Sequence, residues 1–129
     1  MIITIDGPAG SGKSSTAKEV ARRLGYRHLD SGAFYRALTW AALDSGLDPD
    51  SWAGLTREQL DEFRVSGEAS GNSYRMVAAD RDVSEDIRSA AVNANVSRIA
   101  ALPAVRDWLL GRLRAAAATG DLVTDGRDM

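Results

Sequence analysis

The sequence contains no cysteine, which excludes a disulfide framework and a thiolate metal site and suits a reducing compartment. Its one histidine, His28, has no cysteine or carboxylate at ligand spacing, so packing at a strand end is expected of it rather than metal binding. A charge excess is missing too: the formal net charge is −2, without the basic surplus of a general nucleic-acid binder, so any anion must be gripped locally. No uncharged apolar run approaches the roughly 20 residues that span a bilayer, and the first residues carry no basic leader. The expectation is a cytoplasmic protein with neither a membrane nor a nucleic acid as partner. What is present suffices for a core: with 129 residues, 44% hydrophobic and 26% charged, the chain is one ordinary domain or part of a larger one.

Hydrophobic spacing divides the chain. Residues 2–5, β-branched throughout, read as a buried parallel strand that stops at Asp6-Gly7-Pro8. Ala17, Val20, Ala21 and Leu24 then fall at helical spacing, with Arg22 and Arg23 on a solvated face beside Glu19 and Gly25 ending the helix. A second strand at 27–29 leads into the cap region Asp30-Ser31-Gly32 and a helix with Phe34, Ala37, Leu38 and Ala41 on one stripe, closed by Gly46. Residues 47–83 read as an insertion, with a short helix at 56–60 and a hairpin whose strands are 63–65 and 73–76 and whose turn is 66–72. Ser84 is the expected cap of the next helix, which carries Ile87, Ala91 and Ala94 on its stripe with Val92, Val96 and Ile99 beside it. Pro103 opens another through Val105, Trp108, Leu109 and Leu113, ended by Gly120. A third strand at 122–124 runs into Asp125-Gly126-Arg127-Asp128. Trp40 and Trp108 are expected in the core, and Trp52 as a cover over a polar connection. The fold class is therefore α/β, with a core formed by residues 1–46 and 84–129 and the insertion between them.

The chemistry is concentrated in residues 7–14. Gly7, Pro8, Ala9, Gly10, Ser11, Gly12, Lys13 and Ser14 fit GxxxxGK[ST] between a strand and an amphipathic helix, where the pattern has mechanical meaning. Glycines let successive amides point at phosphate oxygens, the helix start adds positive potential, Lys13 reaches the β- and γ-phosphates, and the Ser14 hydroxyl is a Mg²⁺ ligand. Lys13 and Lys18 are the only lysines among sixteen cationic side chains, so a lysine where a compact point charge is wanted adds weight. Ser31 and Arg36 follow the second strand, at the edge to which an open parallel sheet returns its loops, and suit a second, acceptor phosphate. Asp125, ending the third strand, is placed to orient Mg²⁺ directly or through water, and Arg127 to touch the acceptor phosphate. A helix-capping Ser31, a solvated Arg36 and a plain turn at Asp125-Gly126 are the alternatives.

Together these segments resemble the cytidylate kinase family of P-loop nucleoside monophosphate kinases. The likeness runs through Ile5-Asp6-Gly7-Pro8, Gly12-Lys13-Ser14-Ser15, residues 29–36, Asp82-Val83-Ser84 with Ile87-Arg88, and residues 125–129. The resemblance implies a P-loop kinase-type parallel sheet flanked by helices, with the hairpin insertion at the acceptor site. It implies Mg²⁺-dependent transfer of a phosphoryl group from ATP to CMP, and to dCMP, in pyrimidine nucleotide metabolism. By position, Ser15 joins the ATP loop. Ser31, Tyr35, Arg36 and Arg127 join the CMP site, and Ser97, Arg106 and Asp128 contact or support the cytosine. Lys13, Arg36, Asp125 and Arg127 are the implied catalytic set. The resemblance also casts the chain as an N-terminal portion of a longer, monomeric kinase. Its sheet is then incomplete, with Ile2, Ile3 and Ile5 on an open edge that invites self-association, and its own turnover is poor. A kinase for UMP or dTMP, or a fragment that binds nucleotide without turnover, are the competing readings.

Lys13→Ala is expected to abolish productive binding of the β- and γ-phosphates, and Lys13→Arg to fail as well, because a planar fork does not replace a point charge. Calorimetric titration with ATP checks this; affinity within a factor of two of the parent would dismiss the phosphate cradle.

Overall fold

The computed structural model describes residues 1–6 and 12–126. Its centre is a parallel sheet of three strands, β1 (Ile2–Asp6), β2 (Arg27–Asp30) and β6 (Leu122–Gly126), in the order β1-β6-β2. The strand latest in the chain thus lies in the middle, with Ile5 and Asp30 both in register with Asp125. Among the described residues β1 is an outer strand, as β2 is, which agrees with the expected open side; its Ile2 is 37% exposed, while Ile3 and Ile5 are half-buried under α1.

One face of the sheet is covered by α1 (Lys13–Leu24), whose Ala17 and Ala21 pack on Val123 with Ile3, Ile5 and Val20 around them. Small side chains on the helix let it lie close to the strands. Gly25 ends α1 in the left-handed conformation, φ 71°, the region where a side chain is strained. Glu19 accepts hydrogen bonds from Arg22 and Arg23, as the spacing predicts, and these, Arg22 first, draw its carboxyl down to about 2.

The other face carries the main core. α2 (Ser31–Asp44) buries Phe34, Ala37, Leu38 and Ala41, and α5 (Pro103–Ala117) buries Val105, Trp108, Leu109 and Leu113, both on the stripes expected. Phe34 meets Trp108 edge to face, with centroids 6.2 Å apart, and so joins the two helices. α3 (Arg57–Glu62) is short and carries a reciprocal capping box between Thr56 and Gln59. Among the described residues, no helix is long and apolar enough to cross a membrane.

The insertion departs from expectation in several places. Its hairpin pairs β3 (Val65–Ser70) with β4 (Ser73–Ala78), and β5 (Arg81–Asp82) adds to β4. The expected seven-residue turn shrinks to Gly71 and Asn72, because Ser70 pairs with Ser73. Polar, small residues 66–70 become strand because β4 offers a ladder whose Met76, Val77 and Ala78 are buried. Residues 63 and 64 are not strand: Phe63 caps α3, and Arg64 is left-handed at φ 51°. Trp52 is no surface cover but a core residue, 1% exposed, carried inward by a single 3₁₀ turn, Pro49–Gly54. Trp40 is only half-buried and lies under the Arg81 guanidinium, 5.1 Å from its ring centroid. Ser84 caps no helix; its hydroxyl accepts from the Met76 amide. A short 3₁₀ turn, Asp86–Arg88, intervenes, and α4 (Ala90–Ala100) starts after Ser89, whose side chain accepts from Val92 N. The later start rotates the buried stripe to Val92 and Ile99 and leaves Ala91 and Ala94 exposed.

Phe34→Ala should cost about 3 to 5 kcal/mol of stability through cavity formation, and Trp108→Ala should add less than its own single cost in that background, because the two rings share a contact. Urea denaturation of the two single variants and the double variant measures both, and fully additive losses would show the ring pair to be inconsequential.

Candidate functional site

Parallel pairing with common register brings the ends of all three strands to one edge of the sheet. The end of β1 at Asp6, the Asp30-Ser31 corner and Asp125 converge there, where an open α/β sheet places its ligands. α1 begins at this edge with Lys13, preceded by Gly12 at φ 81°, a left-handed entry that glycine permits. Gly7, Pro8, Ala9, Gly10 and Ser11 lie outside the described residues, as do Arg127 and Asp128, and so do the side chains of Lys13 and Ser14.

Asp125 is the buried acid of this edge, 5% exposed, in contact with a buried Ser31. The Ser31 hydroxyl donates to the Asp125 carbonyl at 2.6 Å, and His28 Nε2 lies 2.6 Å from Asp125 Oδ1. Asp30, not Ser31, caps α2, accepting from Gly32 N at 2.9 Å. His28 thus does more than pack at a strand end: it has a carboxylate partner 97 residues away in the sequence. Strand parity explains the meeting. His28 pairs with Val123, so with a side-chain period of two it shares the face of Asp125. Only knowledge of which strand neighbours β2, and in which register, could have revealed the pair.

Beside this corner lies a cavity of about 500 Å³, between α2, β4 and the start of α4, lined by Asp30, Ala33, Arg36, Tyr74, Met76, Ser84, Ile87, Arg88 and Asn93. That volume is in the range of small-molecule sites. Arg36 points its Nη1 at Asn93 Oδ1 and at the Ile87 carbonyl, the latter at 3.5 Å, which orients the guanidinium along the cavity wall. Burial pushes the Tyr74 phenol up, opposed by the Arg27 guanidinium. Asp82 is held below the usual carboxylate range by the Ser84 backbone N–H and then its hydroxyl, which fixes the turn leading to Arg88. Arg88 and Asn93 are site residues that spacing alone did not single out as ligands. They reach the cavity because the 3₁₀ turn and the first turn of α4 fold back over α2.

Other expected residues lie elsewhere. Ser15 is exposed and faces a separate groove with Lys18, His28 and Asn72. Tyr35 is half-buried against the main core. Ser97 and Arg106 are exposed on α4 and α5 and do not line the cavity of Arg36. Among the described residues no group of three or more His, Cys, Asp or Glu side chains could cage a metal. A single buried carboxylate at the sheet edge where α1 begins nevertheless fits Mg²⁺, which takes one or two carboxylates, water and substrate phosphates rather than a cage.

Known proteins resemble this sequence. The family model described as "Cytidylate kinase" matches residues 3–129. Proteins named cytidylate kinase from Streptococcus thermophilus and Rhodopirellula baltica are 41% identical over 128 residues. One from Pseudomonas fluorescens is 45% identical over 130 residues, covering 99% of this chain. The alignments cover 98% of this chain and 56% of the Streptococcus protein, and 99% and 54% for the Rhodopirellula protein. The chain therefore spans little more than half the length of these curated relatives.

Ser31→Ala would leave the buried Asp125 carbonyl without its hydroxyl donor, and is expected to cost about 1 to 3 kcal/mol of folding stability even without ligand. Urea denaturation of the unliganded protein tests it. Unchanged stability would mean that Ser31 serves a ligand rather than the frame.

Proposed function

Because the chain belongs to the cytidylate kinase family, we propose that it carries the phosphate loop and acceptor site of an enzyme that transfers a phosphoryl group from ATP to CMP, and to dCMP, giving ADP and CDP or dCDP. The observation that carries this reading is the convergence, at one sheet edge, of the start of α1, the Ser31 and Arg36 corner and the buried Asp125 beside a cavity of about 500 Å³. Donor and acceptor must be neighbours for a direct transfer, and adjacent loops of a parallel sheet make them so.

In this reading the amides of residues 7–12 and the Lys13 ammonium bind the ATP phosphates, with Ser15 at the helix start. Mg²⁺, held by Ser14 and through water by Asp125, supplies neutralisation of the phosphate charge when bound. Arg36 and Arg127 hold the acceptor phosphate with an oxygen toward the donor. That oxygen is already ionised at neutral pH, so no strong general base is needed. The chain's contribution is orientation and fixed charge. Ser31 and Tyr35 belong to the sugar and phosphate side of the acceptor, while Ser97, Arg106 and Asp128 contact or support the cytosine, and residues 47–83 form the acceptor-binding insertion. Cytoplasmic nucleotide metabolism suits such an activity, with small molecules as partners.

Arg36→Ala is expected to weaken CMP binding far more than ATP binding, because a charge-assisted hydrogen bond to phosphate is worth about 1.5 to 3 kcal/mol, or roughly ten- to hundredfold in affinity. Titrations with ATP and with CMP, UMP and dTMP in parallel test both the assignment and the acceptor. Loss of ATP binding with CMP binding intact would reverse the two sites, and a preference for UMP or dTMP would move the enzyme to another acceptor.

A further inference from the structure

We propose that His28 is a positioning residue: through its hydrogen bond it fixes the Asp125 carboxylate for work on a magnesium–nucleotide at the phosphate loop. The inference rests on the proposed function, since only there does Asp125 have a cation to orient.

Two contacts reach Asp125, one from within β2 and one from the first residue of α2. Ser31 Oγ holds its carbonyl at 2.6 Å, which fixes the strand end. His28 Nε2 holds Oδ1 at 2.6 Å, which fixes the side chain. The two side chains are 12% and 7% exposed, so water does not compete strongly for the bond. A carboxylate offers two oxygens, and one accepted bond leaves the other for an outside partner. Without His28, the Asp125 side chain has free torsions at the point where phosphate chemistry needs a fixed charge, and a ligand placed loosely loses much of its effect. The position of His28 makes the bond informative. It lies on the α1 face of the sheet, whose neighbouring contacts are the apolar Ala17, Ala21 and Val123, and it borders the groove that holds Ser15 at the start of α1. A polar pair between β2 and the end of β6 is not what packing on this face would select.

The test is calorimetric titration of the chain with ATP in excess Mg²⁺ and in EDTA, for the parent, His28→Leu, His28→Gln, Asp125→Asn and the His28→Leu/Asp125→Asn pair. His28→Leu is expected to lose about tenfold of the affinity that Mg²⁺ adds, as outer-sphere substitutions at metal sites do, with affinity in EDTA unchanged. Gln, which keeps an N–H near the position of Nε2, should restore most of the gain, and the Leu substitution should do nothing further once Asp125 is Asn. A retained magnesium gain in the Leu variant, an equal loss in EDTA, or fully additive effects would overturn the proposal while leaving the kinase reading standing. If the parent gains no ATP affinity from Mg²⁺, both fall together. Should the Leu variant fail to fold, by far-UV circular dichroism, the parent alone decides. Its single imidazole gives an unambiguous nitrogen NMR signal, which must shift when Mg²⁺ joins the ATP-saturated protein; no shift overturns the proposal.

Discussion

β6 is among the last segments of the chain and the middle strand of its sheet, and every other part of the structure leans on that one insertion. Leu122 N bonds to the Met1 carbonyl at 3.1 Å, and the terminal ammonium meets Asp121 at 2.6 Å, so the first and last strands start side by side. Leu122 gives its side chain to the main core, Val123 to the α1 face, and Asp125 to the site. Among the described residues β1 and β2 do not pair with each other; both are parallel neighbours of β6. Bringing these ends together closes a loop of more than a hundred residues, an entropic cost that grows only slowly with length and is offset by burying Leu122, Val123 and Thr124 completely.

What the sequence made legible follows from where each signal resides. Helices α2 and α5 bury the residues that their spacing designates, because an apolar stripe is a local property of the chain. The glycine motif is local as well, and its meaning comes from the strand and helix on either side. Strand β3 was hidden because its outer half is exposed and its residues are small and polar; it is a strand by virtue of its partner. Ser84 has the side chain of a helix cap, but the Met76 amide takes it into the sheet and Ser89 caps α4 instead. Trp52 could not be placed from the polar residues flanking it, because one 3₁₀ turn suffices to turn a side chain inward. The His28–Asp125 pair was invisible for the deepest reason: it depends on register between strands almost a hundred residues apart.

Within the candidate site, few polar groups have one duty. Asp30 caps α2 and lines the cavity. Ser31 begins a helix and fixes the end of a strand. Arg36 forms part of the wall and is itself steadied by Asn93. Groups already held by neighbours lose less conformational freedom when a ligand arrives, which is the energetic meaning of preorganisation. This economy also explains why single residues of the site read ambiguously from sequence: the capping reading and the ligand reading of the Asp30-Ser31 corner describe the same atoms.

The hairpin is tied down at its tip as well as its middle. Asn72 accepts from His28 N at 2.9 Å and Gly71 from Arg27 Nε at 3.1 Å, while the middle of β4 is pinned at Met76 through Ser84 to the turn before α4. Mechanically this is a beam held at its tip and at its middle rather than a cantilever. Tyr74 and Met76, midway along it, face the cavity, and one clamp is the backbone of the residue whose side chain grips Asp125. The hairpin tip and the Asp125 carboxylate are thus tied to β2 through one residue, His28, the tip by its backbone N–H and the carboxylate by its imidazole.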